Sequence, residues 1–266
     1  MYDKYNRHIN YLRISVTDKC NLRCTYCMPA EGIKLLPHED ILSYEEIAEI
    51  VQYAVTQGFE KIRLTGGEPL VRRNITSQIE MLSGIPGVND LSMTTNGILL
   101  KDYAFDLVKA GLNRVNVSVD TLDPQKYKTL TRGGVLHKVL EGLRAAKQAG
   151  LTPIKVNMVL GKHTSEQDKN ALDQFCRKNA YTLRFIKEMN LNTGTFSVVE
   201  GGLGGNCPKC NRLRLTSNGM LKSCLFSDMA YDVRELGIKE AFRQAVYHKP
   251  KTGTHTSTGN FCRIGG

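Results

Sequence analysis

Six of the eight cysteines fall into two groups of three: Cys20, Cys24 and Cys27, then Cys207, Cys210 and Cys224. Thiols this close together bind metal or run redox chemistry; a chain of this length with no visible secretion signal is not expected to spend them on a disulfide framework. In the first group, spacings of four and three residues let the thiolates wrap one corner of a small inorganic cluster. A structural zinc ion prefers four ligands, and no fourth Cys or His stands close by, although His38 stays open as one. A [4Fe-4S] cluster on three cysteines keeps one iron free to chelate a small molecule. Two readings stand for the second group: a closed zinc site completed from elsewhere, or a second iron-sulfur cluster whose open iron faces substrate. Cys176 and Cys262 stand apart, with no assigned role.

A second chemical word is Thr65-Gly66-Gly67-Glu68-Pro69. Its glycines let a ligand approach the backbone, and Glu68 can accept from an ammonium.

The elements that must carry these residues alternate. Strands are expected at 11–16, 61–65, 91–95, 115–119, 154–160 and 182–186. Between them run helical stretches: one opened by the capping box Ser43 to Glu46, one around 79–82, then 101–110, 135–149 and 166–178. Six β/α repeats imply a parallel sheet, because parallel neighbours need a crossover. The expected fold is α/β, a partial (β/α)6 TIM-like barrel, with ligands at the C-terminal ends of the strands. The pattern changes in the Gly-rich stretch 201–205, and a soft boundary near residue 190 divides a barrel, 1–190, from a short C-terminal cluster- and substrate-binding extension, 191–266. The stretch 249–260 reads as a polar tail.

The formal net charge of +10 fits either solubility or a polyanionic partner. No long Lys/Arg run and no recognition-helix pattern is present, which favours a phosphorylated small molecule over nucleic acid. No apolar run is long enough to span a bilayer, and the first residues lack an apolar core, so a cytoplasmic, membrane-free protein is expected.

Cys20-x-x-x-Cys24-x-x-Cys27 is the signature of the radical S-adenosylmethionine (SAM) superfamily, which the chain therefore resembles. The resemblance narrows with 13–29, Thr94-Thr-Asn-Gly97, Val117-Ser-Val-Asp120, 207–219, 221–226 and the closing Ile264-Gly265-Gly266. Together these look like GTP 3′,8-cyclase, the first enzyme of molybdenum cofactor (molybdopterin) biosynthesis. What the resemblance implies is a lyase with two [4Fe-4S] clusters, the metal ligands being Cys20, Cys24, Cys27, Cys207, Cys210 and Cys224. SAM would be cleaved to a 5′-deoxyadenosyl radical, hydrogen taken from the ribose C3′ of GTP, and that carbon joined to guanine C8 to give (8S)-3′,8-cyclo-7,8-dihydroguanosine 5′-triphosphate. SAM would lie against Tyr26, Gly66, Gly67, Glu68, Ser118 and Met189. GTP would meet Arg13, Arg63, Thr94, Lys155, Arg212 and Arg214, with Arg13, Arg212 and Arg214 catalytic, since guanidinium forks suit phosphate oxygens. An electron donor of flavodoxin or ferredoxin type is implied; a homodimer stays open. One departure stands out: only residues 190–206 separate the sixth strand from the second Cys motif, where the family carries a longer segment, so the cavity is expected to be more open or its substrate different. A shortened paralogue acting on another nucleotide or a peptide, and a zinc-binding, nucleic-acid-associated protein, are the rival readings.

Overall fold

The computed structural model describes residues 1–257 and residue 264. Cys262, Gly265 and Gly266 lie outside the described residues. Among the described residues nine strands make one sheet, in the order β6-β5-β4-β3-β2-β1-β7-β8-β9. The first six are β1 (Tyr11–Ser15), β2 (Lys61–Thr65), β3 (Asp90–Thr95), β4 (Arg114–Ser118), β5 (Lys155–Leu160) and β6 (Thr182–Lys187). They run parallel to one another, each within one residue of its expected bounds. The edges are β6 and β9, so the sheet stays open as a partial barrel.

The strands obey a period of two, which sorts their chemistry by face. Leu12 and Ile14, Ile62 and Leu64, Val115 and Val117, and Val156 and Met158 are fully buried. The helices α1 (Tyr44–Thr56), α2 (Ile75–Ser83), α3 (Leu100–Lys109), α5 (Leu136–Ala149) and α6 (Glu166–Asn179) link the strands, and their apolar faces join these residues in one core. The opposite parity carries Arg13, Arg63, Thr94, Asn116 and Asn157. The inner face of this barrel is therefore polar and cationic.

Local chemistry sets the helix ends. Ser43 accepts from Glu46 N–H, and Glu46 reaches back to Ser43 N–H, the reciprocal capping box that opens α1. Ser165 and Asp168 do the same for α6. A helix the periodicity did not reveal, α4 (Pro124–Thr131), starts where Asp123 accepts from the Gln125 and Lys126 N–H groups.

The C-terminal part is less separate than its composition suggests. β7 (Arg212–Leu215) pairs parallel with β1, placing Arg214 beside Arg13 and Arg212 beside Tyr11. β8 (Met220–Lys222) and β9 (Ala230–Asp232) continue antiparallel. After the short α7 (Val233–Leu236), α8 (Ile238–Tyr247) seats Phe242 edge-on against Phe59 and Tyr53. The polar tail is not loose over its described length: Thr254 N–H donates to Phe226 C=O and Thr256 N–H to Leu191 C=O, and Lys249 is 1% exposed. Those backbone bonds were invisible in a run of Thr, Gly and Lys. Among the described residues no helix is long and apolar enough to cross a membrane.

Candidate active site

One cavity is lined by both cysteine trios at once. The Cys20–Cys27 loop leaves the C-terminal end of β1; the turn Gly66-Gly67-Glu68 leaves β2 directly beside it. Contact between the two is backbone to backbone: Gly67 N–H donates to Thr17 C=O and Glu68 N–H to Lys19 C=O. A Cβ on Gly67 would stand 2.3 Å from the Lys19 carbonyl oxygen, so only glycine lets the two loops meet.

Glu68 is 1% exposed. Its Oε1 accepts from Thr95 Oγ1 at 2.7 Å and from Leu70 N–H at 3.1 Å; its Oε2 accepts from Asn96 N–H at 2.7 Å. Burial pushes its carboxyl up to about 7 against those three bonds. Tyr26 spends its hydroxyl on Asp120 Oδ2 at 2.6 Å, while Asp120 Oδ1 accepts from Val159 N–H. The Tyr26 ring stacks on His163 with centroids 5.9 Å apart, and Tyr26 lines the cavity. Ser118 ends β4, and Met189 packs with the small apolar group of Leu191, Leu225 and Phe226; both line the cavity.

Beneath the mouth lies a layer of cations. Arg13 pairs in register with Arg63 on one side and Arg214 on the other. Burial first, and then Arg214, pull the Arg13 guanidinium well below its ordinary range. Burial followed by Arg212 lowers Arg214 to about 10. Like charges gathered in a dry place cost folding free energy unless an anion joins them. Arg63 leans on Tyr11, 5.4 Å from the ring centroid, and donates to Ser92 Oγ at 3.1 Å. These side chains stand at mid-strand, between the first cysteine loop, which follows the C-terminal end of β1, and the second trio, whose Cys207 and Cys210 precede β7 at the other end of the strands. Lys155, at the start of β5, is not among the residues that line the cavity. It lies in the same field: burial, then Arg114 and Arg184, bring it down to about 8.

Several cavity residues were missed in the sequence. Arg184 on β6, Asn116 on β4 and Asn157 on β5 line the cavity, and Arg184 Nε, Asn116 Oδ1, Asn157 Oδ1 and Thr94 Oγ1 are buried with no hydrogen-bond partner among the described residues. Buried polar atoms of this kind call for a polar ligand. The available signal was strand parity: each lies an even number of residues from an inward-facing neighbour on its own strand.

Residues 196–206 also line the cavity, through Phe196, Ser197, Val199, Gly204 and Asn206. The short linker thus forms one wall of the cavity. Phe196 stacks on Phe226 with centroids 4.5 Å apart, and Leu203 C=O accepts from Arg212 Nη2 at 3.2 Å.

None of the six cysteines is joined in a disulfide among the described residues. Among the described residues no three His, Cys, Asp or Glu side chains converge on a single ion. Soft thiols in threes at a cation-lined cavity fit iron-sulfur ligation. Burial, then Asp120, raise Cys24 to about 12, whereas at Cys210 Lys249 and Arg212 outweigh burial and hold the thiol near 7.

Comparison with known proteins decides the family. The Radical SAM superfamily pattern matches residues 14–175. GTP 3′,8-cyclase of Thermodesulfovibrio yellowstonii is 41% identical over 305 residues, covering 94% of this chain and 95% of that protein. The chain belongs to the radical SAM superfamily, in the GTP 3′,8-cyclase family. A relative from Peptoclostridium acidaminophilum is 43% identical over 88% of this chain and 85% of its own. The first alignment is longer than the 266 residues present, so that relative carries segments this radical SAM chain lacks. Among solved structures, SuiB of Streptococcus suis bound to its precursor peptide SuiA superposes with a TM-score of 0.69 at 16% identity, over 94% of this chain and 67% of that one. The structure of anSMEcpe with bound AdoMet gives 0.66 at 14%, over 96% and 87%. At such identities these neighbours speak for the fold alone. Radical SAM membership brings with it a [4Fe-4S] cluster and SAM.

Proposed function

We propose that this radical SAM lyase cyclises GTP to (8S)-3′,8-cyclo-7,8-dihydroguanosine 5′-triphosphate, with a second [4Fe-4S] cluster holding the substrate. The observation that carries this reading is the single cavity with a cysteine trio on either side and a cationic floor between them. A cluster on Cys20, Cys24 and Cys27 would supply the electron that splits SAM, delivered from a flavodoxin- or ferredoxin-like donor. Glu68 accepts from the methionine ammonium, the glycines 66 and 67 admit it, and Tyr26, Ser118 and Met189 bound the rest of SAM. Residues 1–190 thus carry the SAM site and part of the substrate site, and 191–266 complete the substrate site through Cys207, Cys210, Cys224, Arg212 and Arg214. Arg13, Arg63 and Arg214 hold the triphosphate as charge-assisted forks, with Thr94 and the field of Lys155 beside them. Fixing the ribose against the SAM-binding rim supplies the proximity that a short-lived radical requires.

Anaerobic reconstitution with SAM, reductant and GTP, followed by product analysis, tests the reading. The cyclised triphosphate is expected from the wild type. Cys24→Ala should make no 5′-deoxyadenosine, and Cys210→Ala should still cleave SAM while losing the nucleotide product. A wild type that cleaves SAM yet leaves GTP unchanged would turn the reading toward another substrate.

A further inference from the structure

Lys249 is among the most completely buried large side chains of the molecule, 1% exposed. A buried ammonium is costly unless its donors and its charge are both answered. Its Nζ donates to Arg212 C=O at 2.7 Å and to Ser223 C=O at 2.6 Å. These two carbonyls belong to the residue two places after Cys210 and the residue just before Cys224, so one side chain ties both ligand-bearing segments together. The third donor faces the Cys210 thiol, with Cys224 close enough to feel the charge.

The contrast with Arg7 shows what is unusual. Arg7 also braces this region, donating to Cys207 C=O at 2.8 Å and to Pro250 C=O at 2.7 Å. Its charge is cancelled by Asp3, 2.6 Å away and equally buried. Among the described residues no carboxylate forms an ion pair with Lys249, which lines the cavity together with Cys210 and Cys224.

We infer that Lys249 is a positioning residue and the built-in counter-charge of the second, substrate-side cluster, holding that cluster's reduction potential up. The inference rests on the two-cluster reading above. Three thiolates and a cluster carry net negative charge, and a further electron adds to it. A fixed cation in a dry site beside two of the ligands favours the reduced form, and net charge and hydrogen bonds to sulfur are the levers that set such potentials. Together with the neutralised Arg7–Asp3 brace, this makes the site rigid on one side and electrically poised on the other.

The test is a redox titration of the fully reconstituted protein followed by electron paramagnetic resonance. Added SAM perturbs the signal of the first cluster and so marks which of the two is which. Lys249→Met should shift the second potential to a more negative value and leave the first in place, and Lys249→Arg, which keeps the charge, should stay close to wild type. Loss of the second cluster from the Met variant with retention in the Arg variant would also support the charge role. An unshifted second potential in Lys249→Met, or loss of that cluster from both variants, would overturn it. Iron and sulfide sufficient for only one cluster in the wild type would instead sink the two-cluster reading itself.

Discussion

Arg214 has the most constrained environment of the proposed phosphate ligands. It is 7% exposed, sits beside Arg13 in the sheet and donates to Ile264 C=O at 3.4 Å. A triphosphate would neutralise a charge the fold has already dehydrated, so its contacts should be worth about 1.5–3 kcal/mol each. Arg214→Ala and Arg212→Ala are therefore expected to weaken GTP binding by roughly ten- to a hundredfold, with a smaller effect on guanosine. Arg214→Lys should not restore the affinity, because a point charge lacks the planar fork. Calorimetric titration with both ligands reads this out, and equal GTP affinities in all four proteins would remove the arginines from the site. Glu68 makes a pH prediction. Its carboxyl titrates near 7 when folded, against the ordinary 4.5. Between those values the folded state holds more protons than the unfolded chain, so stability falls as pH rises through the window. The span amounts to about 3 kcal/mol for the cluster-free protein. Glu68→Gln should remove that part of the slope in urea unfolding at a series of pH values; an unchanged slope would place the titration elsewhere.

At the scale of elements, the short linker forms one wall of the cavity. Its path depends on Gly205, whose φ is +75° and whose Cβ would come 1.9 Å from the Ser197 carbonyl oxygen. Val199 N–H donates to Gly204 C=O, and Phe185 and Glu200 exchange backbone bonds, tying the linker to β6. Gly205→Ala meets both a left-handed backbone cost of about 1–2 kcal/mol and a backbone clash. It should displace the wall near Arg212 and raise the Kd for GTP, while SAM, proposed to bind at the turn after β2, keeps its affinity. Paired binding measurements with the two ligands check this, and a GTP affinity equal to wild type would show that the wall plays no part. These elements also mark the limit of what could be read in advance. α1 carries an explicit capping box and an apolar stripe, so its start was plain. α4 has a lean apolar face, and β7 is a four-residue Arg-Leu-Arg-Leu whose alternation is too short to read alone.

Across the whole molecule, the sequence by itself determined the chemistry and the β/α order. Cysteine spacing and the Gly-Gly-Glu turn are local facts, written within a few residues, and period-two strands between helices leave little choice but a parallel sheet. Tertiary structure alone decided which distant groups share a space. Nothing in the order of residues says that β7 returns to lie beside β1, yet that pairing puts Arg214 next to Arg13 and the second cysteine trio across the cavity from the first. Nor does a polar tail announce that Lys249 will be buried between Arg212 and Ser223. Strand register and the docking of a tail are settled by long-range hydrogen bonds and by which charges can be answered once water is gone, and those terms exist only when the chain has closed on itself.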